Sequence, residues 1–155
     1  MVSLVRKGDN PGKPTRFFAG DTALTELEAL RSGTDHLVGS LLQSGKNVVY
    51  VLDVPYFPET PETCQSKFLA TKTDACVLKR SEMNQRFKAY FEMLAELTKK
   101  YPRLKILNAE DVLCKGDACA QHDGQQYFFI DKDHLSVYGS EKVLARLLER
   151  FPVMN

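Results

Sequence analysis

The sequence lacks several features, and each absence excludes a class of protein. Basic and acidic side chains almost cancel, with 21 Lys and Arg against 20 Asp and Glu, so no surplus of positive charge is present to neutralise nucleic-acid phosphates. No apolar run is long enough to span a bilayer, and the first residues contain no apolar core of the kind a signal peptide needs. We therefore expect no nucleic-acid partner, no membrane span and no export signal in this sequence.

The four cysteines indicate an oxidising compartment, although no export signal is expected in this sequence. They form two locally spaced pairs, and an even count in short loops is typical of a disulfide framework in an oxidising compartment. Neither pair has the two-residue spacing of a zinc knuckle, so we expect no metal and no other cofactor. Because cysteines of this kind accompany export, we expect these 155 residues to be part of a longer exported or membrane-anchored protein.

The first third of the sequence predicts a loop, a helix and a buried strand. Residues 1–20 combine proline, glycine and scattered basic residues without an apolar period, which predicts a loop leading into the domain or a remnant of a preceding segment. Residues 21–155 are predicted to form the C-terminal portion of a single domain. Its first helix has leucines at helical spacing and stops at Gly45, and residues 47–54 form an apolar, β-branched run typical of a parallel strand buried on both faces.

The remainder alternates helices and strands. The predicted elements are a long loop over 55–79, a helix over 82–100 capped by Ser81, a strand over 104–107, a tight turn over 115–118, an aromatic strand over 127–130 and a helix beginning near Ser136. This order is expected of an open α/β sheet layered with helices. No internal repeat or low-complexity segment is visible.

The segment most indicative of chemistry is FFIDKDHLSVYGS at residues 128–140. Here Asp131 and His134 lie three residues apart in a short loop between a strand and a helix. Loops at the carboxyl edge of an α/β sheet face the crevice where ligands bind. A carboxylate in this position can accept the proton of imidazole Nδ1, which leaves Nε2 pointing outward as a base toward a serine supplied by another loop.

Other residues compete for such roles, or have plainer structural explanations. Asp133 competes with Asp131 for the carboxylate role, although spacing favours Asp131. Either could instead serve the dipole of the following helix. His36 is predicted to lie on a helix surface, His122 lies in a turn without an obvious partner, and Ser136 is placed to cap the last helix.

The order of motifs in the last block is similar to that of SGNH hydrolases. A cysteine pair, an Asp-Gly turn, an aromatic strand and Asp-x-x-His-Leu-Ser precede a glycine. More narrowly, the chain resembles the periplasmic SGNH domain fused to membrane acyltransferases that O-acetylate surface polysaccharides. The segment GKNVVYVLDVPYFPETPETC, residues 45–64, resembles the same subgroup. The similarity extends from about residue 22 to the end.

The resemblance implies an SGNH (flavodoxin-like) fold, a three-layer α/β/α arrangement with a parallel sheet, here incomplete at its N-terminus. It implies that Asp131 and His134 are the acid and base of a Ser-His-Asp triad acting on carbohydrate or acyl-ester substrates, with a membrane acyltransferase domain in the longer protein and a periplasmic location. It also implies disulfides, which would join Cys64 to Cys76 and Cys114 to Cys119.

The serine block of the family, an N-terminal Gly-Asp-Ser followed by oxyanion-hole blocks, is not recognisable, so we expect the chain alone to be inactive. Gly20-Asp21-Thr22 imitates this block with a threonine, but too few residues separate it from the strand near Val48, and we interpret Asp21 or Thr22 as a helix cap. Two alternatives stay open. One is a non-catalytic, disulfide-stapled periplasmic module that binds glycan or a partner protein, and the other is a complete hydrolase that uses Thr22.

Overall fold

The structure is a computed structural model, and it describes residues 4–7, 16–19, 22–67 and 76–152. The elements in chain order are β1 (Leu4–Lys7), β2 (Arg16–Ala19), β3 (Thr22–Leu24), α1 (Glu26–Gln43), β4 (Val49–Val51), α2 (Pro61–Lys67), β5 (Val77–Lys79), α3 (Arg80–Arg86), α4 (Lys88–Lys100), β6 (Lys105–Leu107), α5 (Glu110–Leu113), β7 (Cys114–Lys115), β8 (Ala118–Ala120) and α6 (Val137–Arg150). Within the described residues, no helix is long and apolar enough to cross a membrane.

The described strands pair in three small sheets, with the orders β1-β2-β3, β4-β6 and β5-β8-β7. The first and the third are antiparallel. Helices alternating with strands agree with the predicted α/β class, but the predicted three-layer arrangement around one parallel sheet is not confirmed. The strands are short, and pairs such as β7 and β8 are joined by a tight turn, which permits only antiparallel pairing.

The chain divides into two compact units, and the first contains residues 1–49 and 89–105. Its main helix, α1, begins with a capping box in which Glu28 N donates to Thr25 Oγ1 (3.3 Å) and Thr25 N donates to Glu28 Oε2 (2.8 Å). Ion pairs from Lys100 to Asp35 (2.7 Å) and from Arg31 to Glu96 join α1 to α4. The buried apolar residues of these two helices are Ala29, Val38, Leu42, Met93, Leu94 and Leu97.

The second unit contains residues 50–88 and 106–155 and includes the predicted catalytic loop. Its core consists of Phe57, Met83, Ala109, Leu113, Cys114, Cys119, Phe128 and Phe129. A partly buried Arg80 at the start of α3 donates from Nε to Glu110 Oε2 of α5 (3.0 Å). The carboxylate of Glu110 is thus buried with a charged partner, which is the condition under which a buried charge is tolerated.

The structure corrects the prediction for the N-terminal segment. The loop predicted over residues 1–20 contains β1 and β2, which pair antiparallel. The prolines and glycines between these strands favoured the prediction of a loop. The strands themselves contain apolar residues, namely Leu4, Val5, Phe17 and Phe18. The cap predicted at Asp21 or Thr22 is also wrong. Asp21 lies outside the described residues, Thr22 belongs to β3, and Thr25 is the cap because only Thr25 has a glutamate three residues later.

Two further element predictions differ from the structure. The helix predicted over 82–100 is divided at Phe87 into α3 and α4, and no proline or glycine marks the break. The aromatic strand predicted over 127–130 is reduced to isolated bridges, at Tyr127 with His122 and at Phe129 with Leu135. The chain turns back on itself within a few residues there, so a continuous ladder cannot form.

Other predictions agree with the structure. Gly45 ends α1 with a left-handed φ of 79°. Strands lie within the predicted ranges 47–54 and 104–107 as β4 and β6, and the tight turn at 115–118 joins β7 to β8. The segment predicted as a loop over 55–79 contains α2 and β5, and residues 68–75 lie outside the described residues.

Candidate active site

Asp131 organises a tight turn that carries His134. Its Oδ1 accepts hydrogen bonds from the backbone N–H of Asp133 (3.0 Å) and of His134 (2.7 Å). Its Oδ2 lies 2.8 Å from His134 Nδ1. One carboxylate therefore both shapes the turn and orients the imidazole, since a short polar side chain favours turns by bonding to backbone N–H groups a few residues ahead.

Asp133 also approaches the imidazole, with Oδ1 at 3.2 Å from His134 Nδ1. The contact from Asp131 is shorter, and only Asp131 also binds the backbone of the turn. Because both carboxylates face Nδ1, Nε2 is the ring nitrogen left to act on another group. The imidazole is accessible for such a role, since 71% of the His134 side chain is exposed.

Electrostatics in the turn keep the carboxylate charged and favour imidazolium. Hydrogen bonds from the backbone N–H groups of Asp133 and His134, aided by the imidazole, lower the pKa of Asp131 to about 2. The pKa of His134 is raised above its usual value, first by the hydrogen bond to Asp131, then by the charges of Asp131 and Asp133, with a smaller contribution from Asp53. A base supported in this way accepts a proton more readily.

The helix that follows is fixed closely to the segment that precedes the turn. Ser136 caps α6 as predicted, accepting from Gly139 N (3.0 Å), while its own hydroxyl donates to Tyr127 O (2.6 Å). Ser136 N also donates to Phe128 O (2.8 Å). The Ser136 hydroxyl is thus engaged on both sides, which agrees with its interpretation as a cap and not as a nucleophile.

Gly139 permits this close approach. A Cβ atom at this position would lie 2.1 Å from Phe128 O, far inside any tolerable contact. The sequence contains this glycine in its last block, but only the packing of α6 explains it. A side chain here would push α6, and with it the capped end after His134, away from the core.

The segment after β4 forms the other side of the site, and sequence reasoning missed it. Asp53 lies two residues after the end of β4, and its charge acts on His134. Four residues later Phe57 N donates to Lys132 O (2.8 Å), and the fully buried Phe57 ring meets Phe129 edge to face with centroids 5.0 Å apart. The strand predicted over 47–54 includes Asp53, so the signal that identified Asp131, an acidic residue just after a strand, did not single out Asp53; the observed strand ends at Val51.

A metal ion has a conceivable set of ligands here. Asp131, Asp133 and His134 each offer an atom within 4.8 Å of the others. All three groups are substantially exposed, and carboxylates in such positions commonly occur without an ion. Their hydrogen bonds within the turn already account for the arrangement, and the expectation of no metal stays a prediction.

The remaining candidates belong to other elements of the chain. Thr22 is exposed on β3, in the first unit, and His36 is exposed on α1, as predicted. His122 has a partner that sequence reasoning did not find, because its Nδ1 accepts a hydrogen bond from Gly124 N (3.0 Å) and its ring meets Tyr127. His122 therefore stabilises the turn at Asp123.

Both disulfides that the resemblance implied are present. Cys64 is bonded to Cys76, and Cys114 is bonded to Cys119. The second bond lies in the core beside Phe129 and closes the β7-β8 hairpin. The first joins α2 to the residue that precedes β5.

A carboxylate that orients an outward-facing histidine is an arrangement that enzymes use to activate a hydroxyl. The comparison with family models is specific. The model described as SGNH domain (fused to AT3 domains) matches residues 4–149, so the chain belongs to this family. No curated protein and no solved structure matches it.

Membership confirms the resemblance seen in the sequence and the SGNH-type hydrolase or acyltransferase kind of the domain. Fusion to AT3 domains in the family supports a membrane acyltransferase domain as the partner in the longer protein.

Proposed function

We propose that this chain supplies the acid and base half of an SGNH-type O-acyltransferase or esterase that acts on carbohydrate O-acyl groups. The single observation that supports this most is the contact of 2.8 Å between Asp131 Oδ2 and His134 Nδ1, made by a carboxylate that also binds two backbone N–H groups of the turn. The nucleophile is a serine in the Gly-Asp-Ser block that complete domains of the family contain.

In the first half of the reaction, His134 Nε2 takes the proton of the serine hydroxyl as the serine oxygen attacks the acyl carbon. Asp131 holds the Nδ1 proton and stabilises the imidazolium. The tetrahedral intermediate then collapses, and Nε2 returns the proton to the departing alcohol oxygen. An acyl-serine remains.

In the second half, Nε2 takes a proton from the acceptor, which is a sugar hydroxyl in transfer and water in hydrolysis. The acceptor oxygen attacks the acyl-serine, and the proton passes from Nε2 to the serine oxygen as it leaves. The histidine therefore acts alternately as base and acid, and the raised pKa of His134 suits the base step, in which Nε2 takes up a proton.

The chain alone is inactive in this proposal, because no Gly-Asp-Ser block is recognisable in it and the hydroxyl of Ser136 is committed to the helix cap. Members of a triad act as a unit, so the loss of one abolishes most of the rate. A periplasmic location is part of the proposal, and the two disulfides fit an oxidising compartment.

The test is complementation. The chain is co-expressed in the periplasm with a segment that carries the Gly-Asp-Ser part of a complete family member, and the co-purified pair is assayed with 4-nitrophenyl acetate. We expect ester hydrolysis by the pair and none by the chain alone. His134→Ala should reduce the rate to that of the buffer, and Asp131→Asn should reduce it by about 10⁴-fold. His122→Ala is the matched control and should retain activity.

A pair that co-purifies but shows no hydrolysis contradicts the proposal and favours the non-catalytic binding module. Hydrolysis by the chain alone that is lost in Thr22→Ala favours the complete hydrolase with Thr22 as its nucleophile.

A further inference from the structure

Beside the Asp131–His134 turn, an aromatic side chain faces solvent on a firmly held segment. Tyr56 is 57% exposed, whereas the next residue, Phe57, is completely buried. Ile130, which directly precedes Asp131, is 67% exposed. Both side chains leave most of their surface outside the core, so both are available to a ligand that approaches the turn.

The segment that carries Tyr56 lies along the turn. At its start, the charge of Asp53 acts on His134, and at its end Phe57 N donates to Lys132 O (2.8 Å). Farther along, the nearly inaccessible Gln121 donates from Nε2 to Glu59 O (2.7 Å). The backbone on either side of Tyr56 is therefore fixed, so a ligand that stacks on its ring does not have to order the loop first.

The charges around Tyr56 are mainly acidic. Asp53, Asp131 and Asp133 lie on the two segments, against Lys132 and the titratable His134. Exposed carboxylates accept hydrogen bonds from hydroxyl groups and repel other carboxylates. A surface with an aromatic ring and acceptors beside it suits a sugar, which has an apolar C–H face and a hydroxyl rim. It suits a neutral sugar better than a uronic or sialic acid.

We propose that Tyr56 is the platform on which the sugar ring of the substrate stacks, with Asp53 and Asp133 accepting hydrogen bonds from its hydroxyls, and that the site selects neutral over acidic sugars. This inference rests on the proposed function and specifies its substrate class. Tyr56 is a specificity-determining residue that contacts the sugar and takes no part in proton transfer.

Binding is measured on the whole chain by NMR titration with two probes that differ only at C6, methyl β-D-galactopyranoside and the corresponding methyl galactopyranosiduronate. We expect shifts at residues 53–57 and 130–134, with the neutral probe binding more tightly. Tyr56→Ala should weaken its binding by about tenfold, as truncation of a central aromatic contact does. Tyr56→Phe should retain most of the affinity. Phe87→Ala, which removes an exposed aromatic ring on another element, is the control.

Unchanged affinity in Tyr56→Ala overturns the inference, as does tighter binding of the acidic probe or no binding of the neutral probe up to its solubility limit. In the complemented pair, Tyr56→Ala should raise KM for an O-acetylated galactoside far more than it raises KM for 4-nitrophenyl acetate, which has no sugar. Loss of both activities would mean that Tyr56 supports the fold and not the sugar. Failure of complementation leaves the binding result standing, so the two proposals fail separately.

Discussion

Replacement of Phe57 by alanine should destabilise the second unit more than any surface change near the site. The Phe57 ring is completely buried and packs edge to face on Phe129 at 5.0 Å. Truncation removes the buried ring and leaves a cavity beside Phe129. The cavity cannot easily close, because the backbone hydrogen bond from Phe57 N to Lys132 O still holds the two segments in place. Changes of this kind cost about 3–5 kcal/mol of unfolding free energy.

Urea unfolding followed by circular dichroism measures this loss. The chain contains no tryptophan, so fluorescence offers only tyrosine. Tyr56→Ala is the matched control, because it deletes a ring from the adjacent exposed position and should change the unfolding free energy by no more than about 0.5 kcal/mol. If Phe57→Ala unfolds the protein outright, Phe57→Leu, which leaves a much smaller cavity, should cost about 1 kcal/mol. A loss below about 1 kcal/mol in Phe57→Ala refutes the reasoning that this residue fixes the segment after β4 to the Asp131–His134 turn.

Three further outcomes are expected from urea unfolding. Gly139→Ala should cost several kcal/mol because its Cβ would meet Phe128 O, whereas Ser140→Ala on the exposed face of the same helix should cost little, and equal costs would contradict the close approach. Replacing Cys64 and its disulfide partner, 12 residues apart, by serine should cost about 3 kcal/mol, and a fully stable variant would argue against the bond. The pKa of Asp131 is about 2 against an ordinary 3.8, so its stabilisation is complete above the ordinary value and lost as the pH falls through about 2. The stability difference between wild type and Asp131→Asn should therefore shrink between about pH 5 and about pH 2, and a constant difference would contradict the shifted pKa.

The Asp131–His134 pair could be predicted from the sequence, because its geometry is determined by residues that are close together in the chain. Asp131 and His134 are three residues apart, and a turn closed by the Asp131 carboxylate brings them together without any distant contact. The cap at Ser136 is local in the same sense. The N-cap of α1 could also have been predicted from the sequence, since Thr25 and Glu28 form a capping-box pattern that Thr22 lacks.

The segment after β4, which forms the other side of the site, could not be predicted in this way. Asp53 and Phe57 reach the turn through interactions between residues more than 70 positions apart, and nothing in one sequence specifies which loop will lie against which. The break between α3 and α4 at Phe87 has no proline or glycine to announce it. Pairing of strands depends in the same way on long-range contacts, which is why the predicted single sheet is not confirmed.

The proposed function requires that Asp131 hold the proton of His134 on Nδ1 and leave Nε2 as the base. Long-range ¹H–¹⁵N NMR of the histidine rings, recorded above the pKa of His134, reports the tautomer directly. We expect the Nδ1–H form for His134 and the opposite form for His122, whose Nδ1 accepts a hydrogen bond from Gly124 N. Asp131→Asn should shift His134 toward the Nε2–H form. An Nε2–H tautomer at His134 in the wild-type protein would contradict its role as the base.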